Sequence, residues 1–166
     1  MSNPEFDESK IAEYRLQHQE IRILMSIAVR SNKIGDKDKA IYITEALINN
    51  RENLRTSEDD KASFLPALLF NLSNYLGQAG KIRESLQACD KGLEICREYN
   101  RFDLTPVLLH NKATNQRMLG EEERMYRTHL IRAYHSANAM GQFDVAEEVK
   151  KDAEESFGIN IMKFWD

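Results

Sequence analysis

Two segments of the chain, LPALLFNLSNYLGQAG and LTPVLLHNKATNQRMLG, carry one pattern at a fixed offset. Pro66 corresponds to Pro106, Leu68-Leu69 to Leu108-Leu109, Asn71 to Asn111 and Gly80 to Gly120, each pair 40 residues apart. A self-similar period of roughly 20–50 residues marks a stacked architecture, because one supersecondary unit cannot bury its own apolar face and needs a neighbour.

The unit is helical. Gly35, Gly80, Gly120 and Gly141 each close an apolar periodic stretch and precede a polar restart, the pattern of a helix stopped at a C-cap glycine and followed by a new helix. Ile82, Leu86, Cys89, Leu93 and Cys96 fall at spacings of four and three, one helical stripe. Leu68, Leu69, Leu72, Leu76 and Ala79 form the matching stripe before the turn. No segment alternates apolar and polar residues, and no Asn-Gly or Asp-Gly hairpin turn occurs, so strands are not expected.

The expected fold is therefore all-α. Helices are placed at 9–34, 37–54, 58–79, 82–98, 105–119, 122–140 and 143–157. Ser57 with Asp60 resembles a capping box opening the third, and Pro66 should bend it. Thr105-Pro106 supplies an N-cap and first turn for the fifth. Short turns pair these helices antiparallel, giving an α-solenoid of about three helix pairs, 9–54, 58–98 and 104–140, closed by a C-terminal capping helix. The domain spans 9–158; residues 1–8 are expected to be disordered or cloning-derived, and 159–166 a tail. Leu69, Leu72, Leu86 and Leu93 should lie in the core.

Composition narrows the function. Of 166 residues, 42% are hydrophobic and 30% charged, which suits a folded chain rather than a disordered one. The formal net charge is -4; without a basic surplus, no direct nucleic-acid contact is expected of this chain. No apolar run approaches the roughly 18–20 residues that span a bilayer, and the polar, acidic N-terminus is no signal peptide, so a cytoplasmic location with no membrane partner is expected. Cys89 and Cys96 stand seven apart, about 10 Å along a helix and too far for a disulfide; they read as reduced core thiols. His18, His110, His129 and His135 show no metal-ligand spacing. There is no glycine-rich phosphate loop and no serine elbow, so neither enzyme nor cofactor is expected.

These features resemble tetratricopeptide repeats. With Gly80 at the turn glycine of that motif, Leu69 takes its large apolar site, Asn71-Leu72-Ser73 its Asn-Leu-Gly, Glu84-Ser85 its Glu-Ala, and Leu93 falls near its second-helix Ala-Leu. With Gly120 there, Asn111-Lys112-Ala113 takes the same place, and with Gly35 there, Ala40 falls on the second-helix alanine. The tyrosine site holds Leu76 and Gln116, and the likeness covers 23–140. In order, LLFNLSNYLGQAGKIRESLQACDKGLEICREYNR, LLHNKATNQRMLG, AYHSANAMGQ and a terminal FGI resemble the regulatory half of Firmicutes helix-turn-helix transcriptional regulators of the Xre type. That resemblance implies an array sensing a short peptide or protein segment in its concave groove, with a homodimer as a further partner state; no helix-turn-helix segment lies in this chain. The alternative is a stand-alone tetratricopeptide-like scaffold for protein–protein interaction.

In such an array the first helix of each pair lines the groove. Asn71 and Asn111 are the leading candidates, because an amide both donates to and accepts from a peptide backbone. Their other role would be to satisfy a neighbouring helix. The same register adds Phe70, Asn74 and Gln78 on the third helix, and His110, Thr114 and Arg117 on the fifth. Arg117 would pair a peptide carboxylate, or else stand as a solvated charge. Lys112 occupies the place of Leu72 and is expected to run its aliphatic stem over apolar surface with the ammonium at the edge.

Overall fold

The computed structural model describes Ile11 and residues 15–162. Its α-helices are α1 (His18–Lys33), α2 (Lys37–Asn49), α3 (Glu58–Gln78), α4 (Ile82–Glu98), α5 (Thr105–Met118), α6 (Glu123–Ala139) and α7 (Phe143–Glu155). A 3-10 turn at Arg51–Asn53 follows α2. No strand occurs among the described residues; a single parallel bridge joins Gln17 to Arg55.

Helix ends follow from local chemistry. After α3, Gly80 takes φ +77° and lets the Lys81 N–H donate back to the Leu76 carbonyl at 2.9 Å. That bond satisfies a carbonyl the helix leaves orphaned. The same bond closes the turns after α1, α5 and α6, and after α4 Asn100 stands in the glycine's place at φ +52°. Ser57 caps α3 by accepting from the Asp60 N–H at 3.1 Å, and Asp60 returns the contact as an acceptor from the serine hydroxyl. A hydrogen bond from Thr56 is the main cause holding the Asp60 carboxyl below its ordinary range, with one from Ser57 next.

Several boundaries differ from expectation. Helix α1 starts at His18, not residue 9: the Leu16 carbonyl accepts from Arg55 N–H at 2.8 Å, and Gln17 N–H donates to Glu20 at 2.7 Å, so this stretch is extended and then capped. The N-cap of α5 is Leu104, with Thr105 and Pro106 inside the first turn. Helix α3 continues through Pro66, as expected. The packed region also runs past 158, since Ile159 and Ile161 are buried in the C-terminal core. The expectations for residues 1–8 and 163–166 lie outside the described residues.

Each helix packs against the next, and the odd-numbered helices also meet in order, α1 with α3, α3 with α5 and α5 with α7. Two apolar clusters result. One joins α1, α2 and α3; the other joins α5, α6, α7 and the segment after it. Helix α4 serves both, giving Ala88 and Ile95 to the first and Leu93 and Cys96 to the second. Leu69, Leu72 and Leu93 are buried as expected, whereas Leu86 is only half-buried. The buried face of α4 is instead Ser85, Ala88, Cys89, Gly92, Leu93, Ile95 and Cys96. Small residues fill its centre, so α4 lies close to both neighbours. A Cβ on Gly92 would stand 2.9 Å from Leu108 Cδ2 and 3.4 Å from Leu69 Cβ.

Gly92→Ala should therefore lower stability by about 1–2 kcal/mol, because overpacking against the fully buried Leu108 outweighs the helix-propensity gain of alanine; chemical denaturation would measure it. A second expectation concerns pH. Burial pushes the Cys89 thiol from an ordinary 9.0 up to about 11, and raises Cys96 in the same direction. The folded chain thus holds these protons more tightly than the unfolded one, so their contribution is complete below pH 9 and is lost as pH rises through about 11. Melting temperature should fall across that window, and Cys89→Ala should flatten the fall.

Candidate functional site

A cleft of about 180 Å³ opens between α3 and α5, with Ser85 of the first turn of α4 at its base. The C-terminal half of α3 contributes Ser73, Asn74, Gly77 and Gln78; α5 contributes Asn111, Thr114, Asn115 and Met118. Gly77 leaves its side of the cleft open: a Cβ there would sit 3.5 Å from Ser85 Oγ and 3.9 Å from Asn115 Oδ1, ordinary contact distances.

A chain of hydrogen bonds orders its walls. Ser73 Oγ donates to the Phe70 carbonyl at 2.8 Å, and Ser85 Oγ donates to the Ser73 carbonyl at 2.7 Å. Each serine hydroxyl has one proton, and both protons are thereby committed to main-chain carbonyls. The hydroxyl oxygens then act as acceptors. Asn111 Nδ2 donates to Ser73 Oγ at 2.9 Å and to Asn74 Oδ1 at 2.7 Å. Asn115 Nδ2 donates to Ser85 Oγ at 2.8 Å, with Cys89 Sγ at 3.7 Å. Three helices are stitched together by side chains that also line the cleft.

The residues proposed from sequence divide. Asn74, Gln78, Asn111 and Thr114 line the cleft; Asn71, Phe70, His110 and Arg117 do not. Asn71 is half-buried and makes no side-chain hydrogen bond among the described residues. The turn glycines Gly35 and Gly80 set α1 and α3 in register, and Ala28 and Val29 then take the places of Ser73 and Asn74. At those places α1 offers no polar side chain. Phe70 packs against the C-terminal core. His110 Nε2 meets Asp152 Oδ2 at 2.8 Å and ties α5 to α7. The Arg117 guanidinium stacks 4.8 Å over the Phe157 ring. Lys112 extends to Asp90 of α4 with its side chain 20% exposed, so its stem is covered and its ammonium is paired away from the cleft. Asn115 was not singled out from sequence; its mark is that an amide stands where the preceding repeat has Tyr75.

Other hollows bring together less. A larger one, about 570 Å³, is lined among the described residues by α1 alone, including Arg22, Ile23 and Arg30. Another, near the 3-10 turn, gathers charges that pair among themselves: Lys61 with Glu58 at 2.7 Å and Arg51 with Glu52 at 3.1 Å. The described residues hold no cluster of metal-ligating side chains and no helix long and apolar enough to cross a membrane.

The asparagines should differ in their contribution to stability. Asn115→Ala leaves a buried Ser85 hydroxyl without its donor and should cost about 1–3 kcal/mol, whereas Asn111→Ala should cost about 1 kcal/mol. Asn71→Ala removes no bond and should stay within about 0.5 kcal/mol of the parent. Urea unfolding of the three single variants checks the order. In comparisons with known proteins, no family model matches this chain, and no curated protein and no solved structure matches it.

Proposed function

We propose that this chain is a tetratricopeptide-like helical-repeat module that binds a short peptide or protein segment, and that it serves as the sensing part of a bacterial helix-turn-helix regulator of the Xre type. The serial contacts among α1, α3, α5 and α7 suit a solenoid whose odd-numbered helices form one continuous surface. The observation that carries the binding reading is the α3–α5 cleft, where Asn111, Thr114 and Asn115 share one face of α5 opposite Asn74 and the bare Gly77. The side-chain oxygens of α5 there accept from the N–H groups of an extended backbone, and Asn74 across the cleft keeps amide donors for its carbonyls. Occupancy would bridge α3 and α5, and a ligand that binds one spacing of these helices better than another shifts the array toward it. In a linked regulator, that shift is what a DNA-binding domain would read.

Peptide display against the chain, followed by calorimetry on the enriched sequences, tests this reading. Binding should weaken by about 1–3 kcal/mol in Asn111→Ala, since a desolvated peptide group loses its partner. Asn71→Ala should leave affinity unchanged. Peptides that bind the parent and Asn111→Ala alike would remove the cleft from the account.

A further inference from the structure

We infer that the α3–α5 cleft selects a primary ammonium group, the amino terminus or a lysine side chain of its ligand. The inference rests on the binding role proposed for this cleft and specifies its chemistry. Hydrogen-bond direction decides what the cleft can offer. Asn111 has two amide hydrogens, and both are committed, to Ser73 and Asn74. Asn115 directs its amide nitrogen to Ser85 and Cys89. In this network the serine protons lie on the Phe70 and Ser73 carbonyls, so a reversed Asn115 amide would set its oxygen against Ser85 Oγ, and a reversed Asn111 amide would set its oxygen against Ser73 Oγ and Asn74 Oδ1. Thr114 likewise donates its hydroxyl hydrogen to the His110 carbonyl at 3.2 Å.

What this face of α5 has left is acceptors: Asn111 Oδ1, Asn115 Oδ1 and the lone pairs of Thr114 Oγ1. They stand at i, i+3 and i+4, one helical face. Asn115 is the telling member. It is 4% exposed, yet among the described residues no group donates to its carbonyl oxygen, and that oxygen is not sealed from solvent. It is the oxygen that Gly77 leaves uncovered. An ammonium has three N–H donors and no acceptor, which matches three neutral acceptors in a cleft too small for a bulky group. Asn74 keeps its Nδ2 donors, but that side chain is only half-buried. No cationic side chain lines the cleft, and the chain's net charge of -4 favours a cationic guest.

The test uses the full chain and two pools of random heptapeptides, one with free amines and one acetylated at the amino terminus and at every lysine. Native mass spectrometry reads retention. Peptides retained should come from the free-amine pool, and acetylation of any one should weaken it at least tenfold. Single acetylation at the terminus or at lysine tells which amine is bound. Gly77→Ala, whose added methyl fits without a clash but covers Asn115 Oδ1, should abolish retention without lowering the melting temperature. Thr114→Val, which keeps the shape and removes one acceptor, should weaken it several-fold. Equal retention of both pools would overturn the ammonium assignment and leave peptide binding standing. Retention from neither pool would overturn both.

Discussion

The molecule depends on how closely α4 approaches α3 and α5 at once. A helix placed between two others serves two cores only if its contact face is narrow. Here that face centres on Ser85, Cys89, Gly92 and Cys96, and at Gly92 the approach leaves no room for even a methyl group beside Leu108. Ala88 and Ile95 turn to one apolar cluster, Leu93 and Cys96 to the other. Because interiors pack at near-crystalline density, this spacing is a fixed dimension rather than an average. It brings α5 within side-chain reach of α3, and Asn111 and Asn115 become cross-helix ties rather than surface amides.

Those ties are directional where the apolar contacts are not. Leucines from α3 and α5 would pack in more than one register with small loss, but the run from Phe70 through Ser73 and Ser85 to Asn115 closes in one arrangement, with each donor facing an acceptor. A directional network of this kind adds specificity even where its net contribution to stability is modest. The cleft is a by-product: once each nitrogen is held inward, the opposite end of the amide is left facing out.

Much of this was legible in the sequence. Gly35, Gly80, Gly120 and Gly141 mark helix stops by a rule that needs only local geometry, and the ends of α3 through α7 fall within two residues of the expected places. What was not legible depends on partners distant in sequence. The start of α1 is decided by Leu16 pairing with Arg55, so helix-forming residues ahead of it could not reveal the extended stretch. On α4 the stripe held at Cys89, Leu93 and Cys96 but not at Leu86, because hydrophobicity favours Leu86 and passes over Ser85 and Gly92, whose value is their smallness. Asn111 stood out because it repeats; Asn115, the more buried of the two, did not, because its counterpart is a tyrosine.

The contrast between Asn71 and Asn111 shows what a repeat can and cannot specify. The two share residue type, position and flanking leucines, and a reading by equivalence assigns them one role. An amide's role is fixed by what lies opposite, and what lies opposite is the preceding odd-numbered helix. For Asn111 that helix supplies Ser73 and Asn74; in the corresponding register α1 supplies Ala28 and Val29. Lys112 makes the same point at the place of Leu72, since Asp90 on α4 draws its ammonium out of the helix stack. Repetition builds the spacing and the turns. The polar site arises where the repeats diverge, at the one described junction of odd-numbered helices that sets a serine and a bare glycine on one helix against two asparagines on the next.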